Sequence, residues 1–188
     1  AELEADIYHF AGLVYGDFDN EMIKALAKKS AAAVDVQACL RHVNEADGSL
    51  YFEDWADKRE MLPFIKYLKT DAAEAEMMTG TTDRAAAARM LSGWGAGEVM
   101  ITHNSEVIVF DGQDLFACPL RPRNLSGRTG RGDTTFAAYI NERLAHNIKD
   151  SLLFAAATVS LKMETPGPYK GSRRDVEEYI GAFFADCR

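Results

Sequence analysis

Short apolar runs alternate with stretches of helical spacing along this whole sequence. Ile7-Tyr8-His9-Phe10, Ala31 to Val36 and Phe64 to Leu68 read as buried strands. Between the first two, Asp19 to Lys29 places Met22, Ala25 and Leu26 on one helical face behind an acidic first turn. Gly48 to Asp54 reads as loop or short strand, and Asp57 to Leu62 as a helical turn. Asp71 to Thr79 predicts a helix closed by Gly80, and Asp83 to Ser92 an alanine-rich helix capped by Thr82 or Asp83. Glu98 to Thr102, Glu106 to Phe110 and Leu115 to Cys118 follow as strands, with Asp111-Gly112 as a hairpin turn. Three helices close the pattern, from Gly132 to about His146, Lys149 to about Met163 and Ser172 to about Ala185. Strands alternating with helices predict an α/β fold with a mostly parallel sheet, plus an antiparallel patch at the late hairpin. No repeat, low-complexity tract or linker interrupts it, so residues 1–188 are expected to form one α/β domain.

Charge and cysteine usage exclude several functions. A formal net charge of −8 argues against nucleic acid or an anionic membrane as partner, though not against a local phosphate site built from backbone amides. Cys39, Cys118 and Cys187 form no C-x-x-C pair, and an odd count suits free thiols in a reducing compartment. His9, His42, His103 and His146 are not paired as zinc ligands would be. No signal-like segment or long apolar run is present, so a soluble cytoplasmic protein is expected.

The chemistry concentrates in Thr129-Gly130-Arg131-Gly132-Asp133-Thr134-Thr135-Phe136, which opens an apolar helix. Glycines let the chain turn tightly and approach a ligand. Amides at a helix N-terminus make an anion site. An acid inside such a site repels phosphate, but it serves as a base beside one, taking a proton from a substrate hydroxyl. From these residues alone, that role and an ordinary Asp helix cap both stay open. Arg131-Gly132-Asp133 is also an adhesion tripeptide, but here it opens an apolar helix rather than an exposed loop.

This stretch resembles the second signature of PfkB-family (ribokinase-like) carbohydrate kinases, D-[ST]-T-G-A-G-D-x-F, at Thr129, Gly130, Gly132 and Asp133, with Phe136 one position beyond its F. Three further segments resemble the family in order: Leu68 to Gly80 its N-x-x-E helix and T-G, Glu98 to Thr102 the strand entering its T-x-G nucleotide loop, and Phe154 to Gly167 its adenine-side helix. The resemblance implies a ribokinase-like three-layer α/β/α fold, the donor ATP with Mg²⁺, and a small sugar-type acceptor. It implies Asp133 as catalytic base, the amides of Gly130, Arg131 and Gly132 as anion hole, and Thr102, Asn104, Thr129, Ala156 and Ser160 around the nucleotide. It gives Asp71 and Glu74 the magnesium role, and Asp35 to Arg41 resembles a D-x-N-x-R acceptor segment with Gln37 for Asn and the Arg further on, which nominates Asp35 and Arg41.

Departures matter as much. Arg131 replaces the usual Ala and suits a phosphate oxygen. Gly127 stands where the signature usually has an Asp associated with a monovalent cation, which puts potassium activation in doubt. Asp71 replaces Asn, Asn104 replaces the glycine of T-x-G while tolerating left-handed angles, and Val107 fills the next glycine position. The family's first strands, small β-sheet lid and Gly-Gly motif do not precede Ile7. A fragment or shortened relative is therefore expected, lacking a wall of the acceptor pocket and with open strand edges that invite a homodimer. A nucleotide-binding but inactive module is the alternative to a working kinase.

Overall fold

The computed structural model describes residues 4–187. It divides into two compact units, one running to Ile101 and including Phe110–Leu115, the other comprising Thr102–Val109 and the chain from Phe116 onward.

In the first unit the elements are β1 (Ile7–Phe10), α1 (Asn20–Ala27), β2 (Ala31–Asp35), α2 (Gln37–Leu40), β3 (Arg41–Val43), β4 (Leu50–Phe52), α3 (Lys58–Met61), β5 (Tyr67–Asp71), α4 (Ala72–Thr79), α5 (Arg84–Gly93) and β6 (Glu98–Thr102). The sheet order is β1-β2-β5-β6. β1 pairs parallel with β2, Ile7 opposite Ala31, and β2 parallel with β5, Val34 opposite Leu68. β2 is buried from Ala32 onward, as expected of a strand covered on both faces. Asp19 caps α1 by accepting from the Met22 N–H, and Ile23 of that helix is fully buried. β3 and β4 form a separate antiparallel ribbon, with Arg41 opposite Phe52.

The third strand lies three residues later than its sequence suggests. Leu62–Phe64 winds as a 3₁₀ turn around Pro63, whose fixed φ and missing N–H keep it out of a ladder. The shift changes the setting of two residues. Lys69 becomes a buried strand residue, and Asp71 ends β5 as the N-cap of α4. Asp35 likewise ends β2, so two carboxylates sit at the carboxyl ends of parallel strands, where α/β folds place their ligands.

The second unit contains β7 (Glu106–Phe110) and β8 (Leu115–Pro119) as sheet neighbours, then α6 (Arg131–Glu142), α7 (Ile148–Lys162) and α8 (Arg173–Phe183). Between the strands Asp111 closes the expected turn, its Oδ1 accepting from the N–H groups of Gln113 and Asp114 at 2.8 Å each. α6 packs along α7, and α7 along α8. Ala155, Ala156 and Ala157 are fully buried, small enough for close helix approach, while Phe136 and Tyr139 fill the core. Arg173, at the start of α8, bonds the buried Glu142 at the end of α6. No helix among the described residues is long and apolar enough to cross a membrane.

Candidate functional site

The phosphate-type site begins with a backbone reversal. Gly130 has φ 76°, a left-handed angle that a residue with a Cβ rarely adopts, and it serves as N-cap of α6 without contributing a side-chain bond. The N–H groups of Gly132 and Asp133 lie in the first helical turn, where no carbonyl precedes them to accept. The ladder starts one residue later, with the Thr134 N–H donating to Gly130 O at 3.1 Å. Thr134 and Thr135 turn their hydroxyls back onto the carbonyls of Gly130 and Arg131, both at 2.8 Å. Asp133 is exposed and has no hydrogen-bond partner among the described residues. Its carboxylate therefore stands at the mouth of an open amide cradle, able to accept a proton. Thr129 is exposed beside it.

Two guanidinium groups converge next to this cradle. Asn104 Oδ1 accepts from Arg131 Nη1 at 2.7 Å and from Arg128 Nη2 at 3.2 Å. Asn104 reaches them from a tight turn closed by the His103 N–H on Glu106 O at 3.0 Å. No non-glycine residue among those described has positive φ, so this turn needs no left-handed residue. Asn104 thus matters here for its side-chain oxygen rather than for backbone tolerance. Thr102 is 3% exposed and Val107 fully buried, so both side chains belong to the core. Arg128 has no counterpart in the sequence reading. A cation one residue before the Thr-Gly pair was its signal.

Lys162 was also missed. It is 1% exposed, at the end of α7 after the largely apolar run 152–161, and its Nζ donates to Gly127 O at 2.7 Å. Gly127 has no space for any side chain, because a Cβ there would lie 1.7 Å from Thr165 O. A lone lysine inside an apolar helix run was the available signal. On the same helix Ala156 and Ser160 are fully buried. Ser160 Oγ donates to Ala156 O at 2.6 Å and accepts from the Arg121 N–H at 2.9 Å. Neither side chain lines a surface.

The first unit gathers the other nominated residues. Lys69 Nζ sits 2.9 Å from Asp35 Oδ2 and 4.0 Å from Glu74 Oε2, with all three side chains buried. Asp71 and Glu74 cap α4 reciprocally: Asp71 Oδ1 accepts from the Glu74 N–H at 2.9 Å, Glu74 Oε2 from the Asp71 N–H at 2.7 Å. Burial pushes the Glu74 carboxyl up to about 7, against the pull of Lys69 and with help from Asp71. Burial opposes charge on Lys69 as well, but Asp35 and Glu74 outweigh it and raise its pKa. The lysine is shared and lies closer to Asp35, which leaves Glu74 short of compensation. Among the described residues no cluster of three or more His, Cys, Asp or Glu could enclose a metal ion. The α4 pair still suits Mg²⁺ bound through water, because each carboxylate keeps one oxygen outside the capping box. Arg41 lies with its guanidinium 5.6 Å from the Phe52 ring centroid.

Comparison with known proteins follows this geometry. Residues 3–174 match the model of the pfkB family of carbohydrate kinases. A cytidine kinase of Thermococcus kodakarensis is 35% identical over 85 residues, covering 44% of this chain and 31% of that protein. A pyrophosphate-dependent kinase of the ribokinase family, solved with a pyrophosphate analog and myo-inositol, is 36% identical with TM-score 0.86, over 94% of this chain and 64% of its own. Arabidopsis thaliana ribokinase with ribose and ATP is 20% identical with TM-score 0.75, over 94% of this chain and 56% of its own, and shares the fold. The chain spans less than two thirds of each of these proteins. The ribokinase-like α/β fold expected from the sequence, a mostly parallel sheet flanked by helices, is borne out.

Proposed function

Because the chain belongs to the pfkB family of carbohydrate kinases, we propose that it transfers a phosphoryl group from a magnesium-bound phosphoanhydride to a hydroxyl of a sugar-like alcohol. The observation carrying this reading is the exposed Asp133 carboxylate beside the first-turn amides of α6, which receive no side-chain cap. Asp133 takes the proton of the acceptor hydroxyl as its oxygen bonds to the terminal phosphorus and the donor's bridging oxygen leaves. The amides of the first α6 turn hold the equatorial oxygens during transfer. Asp71 and Glu74 would hold Mg²⁺ through water, and such an ion would supply charge neutralisation to a phosphoanhydride donor. Asp35 and Arg41 remain the acceptor-side candidates. The Asp35 contact with Lys69 makes it a fixed acceptor of hydrogen bonds rather than a base.

ATP is the donor that the family resemblance implies. A second reading, inorganic pyrophosphate, is favoured by a specific observation. Arg128 and Arg131 share Asn104 beside the cradle, supplying charge for a second phosphate. Ala156 and Ser160, nominated for the nucleotide, are meanwhile buried. The 36% identical kinase named above as pyrophosphate-dependent supports the same reading.

The experiment is a transfer assay on the full-length protein with ATP or pyrophosphate, Mg²⁺, and an acceptor panel of myo-inositol, ribose and cytidine. Asp133→Asn is expected to lower turnover by about 100- to 10,000-fold with donor affinity nearly unchanged. Near-normal turnover in that variant would refute the assignment. Arg128→Ala and Arg131→Ala should each weaken pyrophosphate use more than ATP use. Equal losses would remove the second reading.

A further inference from the structure

Under the α6 N-terminus lies a charge that its glycine signature does not contain. Lys162 is 1% exposed, yet among the described residues its ammonium has one hydrogen-bond acceptor, the Gly127 carbonyl at 2.7 Å. An ammonium carries three donors. The other two find no acceptor, and no carboxylate pairs with it, among the described residues. Burying a cation in this state is strongly unfavourable. The partial negative charge at the end of α7 offsets part of that cost. Its Nζ bonds the loop that leads into the cradle, at Gly127 O.

Its stem passes beside Gly130. A methyl group placed on that residue would lie 4.0 Å from Lys162 Cε and 3.8 Å from Asp133 Oδ2. The lysine stem and the exposed carboxylate thus approach the same turn. Gly127 anchors the arrangement: its N–H donates to Met163 O at 2.8 Å, and its missing side chain lets the 165 carbonyl close over it. Residue 127 has no room for the cation-associated Asp that PfkB-like signatures carry at that place. The positive charge comes instead from α7.

We propose that Lys162 is a built-in cation of the anion cradle. Held on Gly127, its ammonium fixes the loop before α6 and offsets the charge gathering on the transferred phosphoryl group, so that turnover needs no monovalent cation. This rests on the kinase reading above, with Lys162 as a positioning residue acting through the loop and its field.

The test uses the full-length protein at constant ionic strength, with potassium exchanged for tetramethylammonium. Wild-type turnover is expected to be flat across that exchange. Lys162→Met should lose about 100-fold or more in kcat, with KM for the acceptor little changed. Ammonium or potassium should restore part of the loss, which a purely structural defect would not allow. Activation of the wild type by potassium overturns the proposal. So does a Lys162→Met protein of native circular dichroism that keeps its turnover or is rescued by no cation. If Lys162→Met does not fold, the wild-type cation series still decides. If the wild type transfers nothing from either donor, the kinase reading fails separately, and titration calorimetry with inorganic pyrophosphate tests the lysine. Loss of binding in Lys162→Met, with binding kept in Asp133→Asn, supports it. Equal binding in wild type and Lys162→Met, or none in either, overturns it.

Discussion

At the scale of single residues, the unequal sharing of Lys69 has a measurable result. The Glu74 carboxyl titrates near 7 when folded against 4.5 for an ordinary glutamate. Folding therefore takes up a proton between those values. Stability is greater below the window and falls as pH rises through it, with the penalty complete above the folded pKa. Glu74→Gln keeps an acceptor for the capping box and removes the charge. Its melting temperature should match the wild type near the acid end and exceed it in mild alkali by the equivalent of roughly 2–3 kcal/mol. A scan of melting temperature against pH checks this, and a constant difference would contradict it. The same scan addresses the proposed magnesium role: Mg²⁺ should stabilise the wild type at alkaline pH and leave Glu74→Gln unmoved. Gly127→Ala is a simpler case. Its Cβ would overlap Thr165 O at 1.7 Å, so a large fall in melting temperature or loss of soluble protein is expected. Asp133 and its glycines were legible because a glycine-acid-helix pattern has a distinct chemistry. Lys162 and Arg128 were not, because their partners are a backbone carbonyl and a residue 24 positions away.

At the scale of elements, helix starts were readable and strand limits less so. Asp19, Asp83 and Ser172 each accept from an N–H of their own first turn, as short polar residues before apolar runs do. Asn147 does the same for α7, accepting from the Asp150 N–H at 2.9 Å. Asn147→Ala should cost about 1 kcal/mol, a drop of roughly 2–4 °C in melting temperature for a chain of this size. Far-ultraviolet circular dichroism during heating measures it, and an unchanged midpoint would show that α7 needs no cap. The short α2 and β3 had no usable signal. Four and three residues are too few to show a period, and only tertiary pairing with β4 defines the strand. The displaced β5 has the same lesson: Ile65 and Leu68 suit a strand in either register, and Pro63 decides where it begins.

At the scale of the whole molecule, two pH windows of opposite sense bound the stable range. In the second unit Arg123 grips Glu164 through Nε at 2.8 and 2.9 Å and through Nη2, and Tyr179 Oη donates to the same carboxylate at 2.7 Å. The Arg123 guanidinium above all holds the Glu164 carboxyl down to about 2. That contribution is present above the ordinary value of 4.5 and is lost as pH falls toward 2. With the Glu74 window falling toward neutrality, maximum stability is expected near pH 5 or slightly above. Arg123→Ala should move the acid unfolding midpoint to higher pH, and an unmoved midpoint would remove this pair from the account. The fold class was legible at this scale because alternation of strands and helices survives errors in individual limits.

The three thiols differ in a way that makes the protein easy to label. Burial pushes both Cys39 and Cys118 up to about 12, so at neutral pH neither offers thiolate to a reagent. Cys187 is partly exposed on the short turn after α8. Among residues 1–188 a maleimide dye should therefore attach at Cys187 alone and report by fluorescence on the turn after α8.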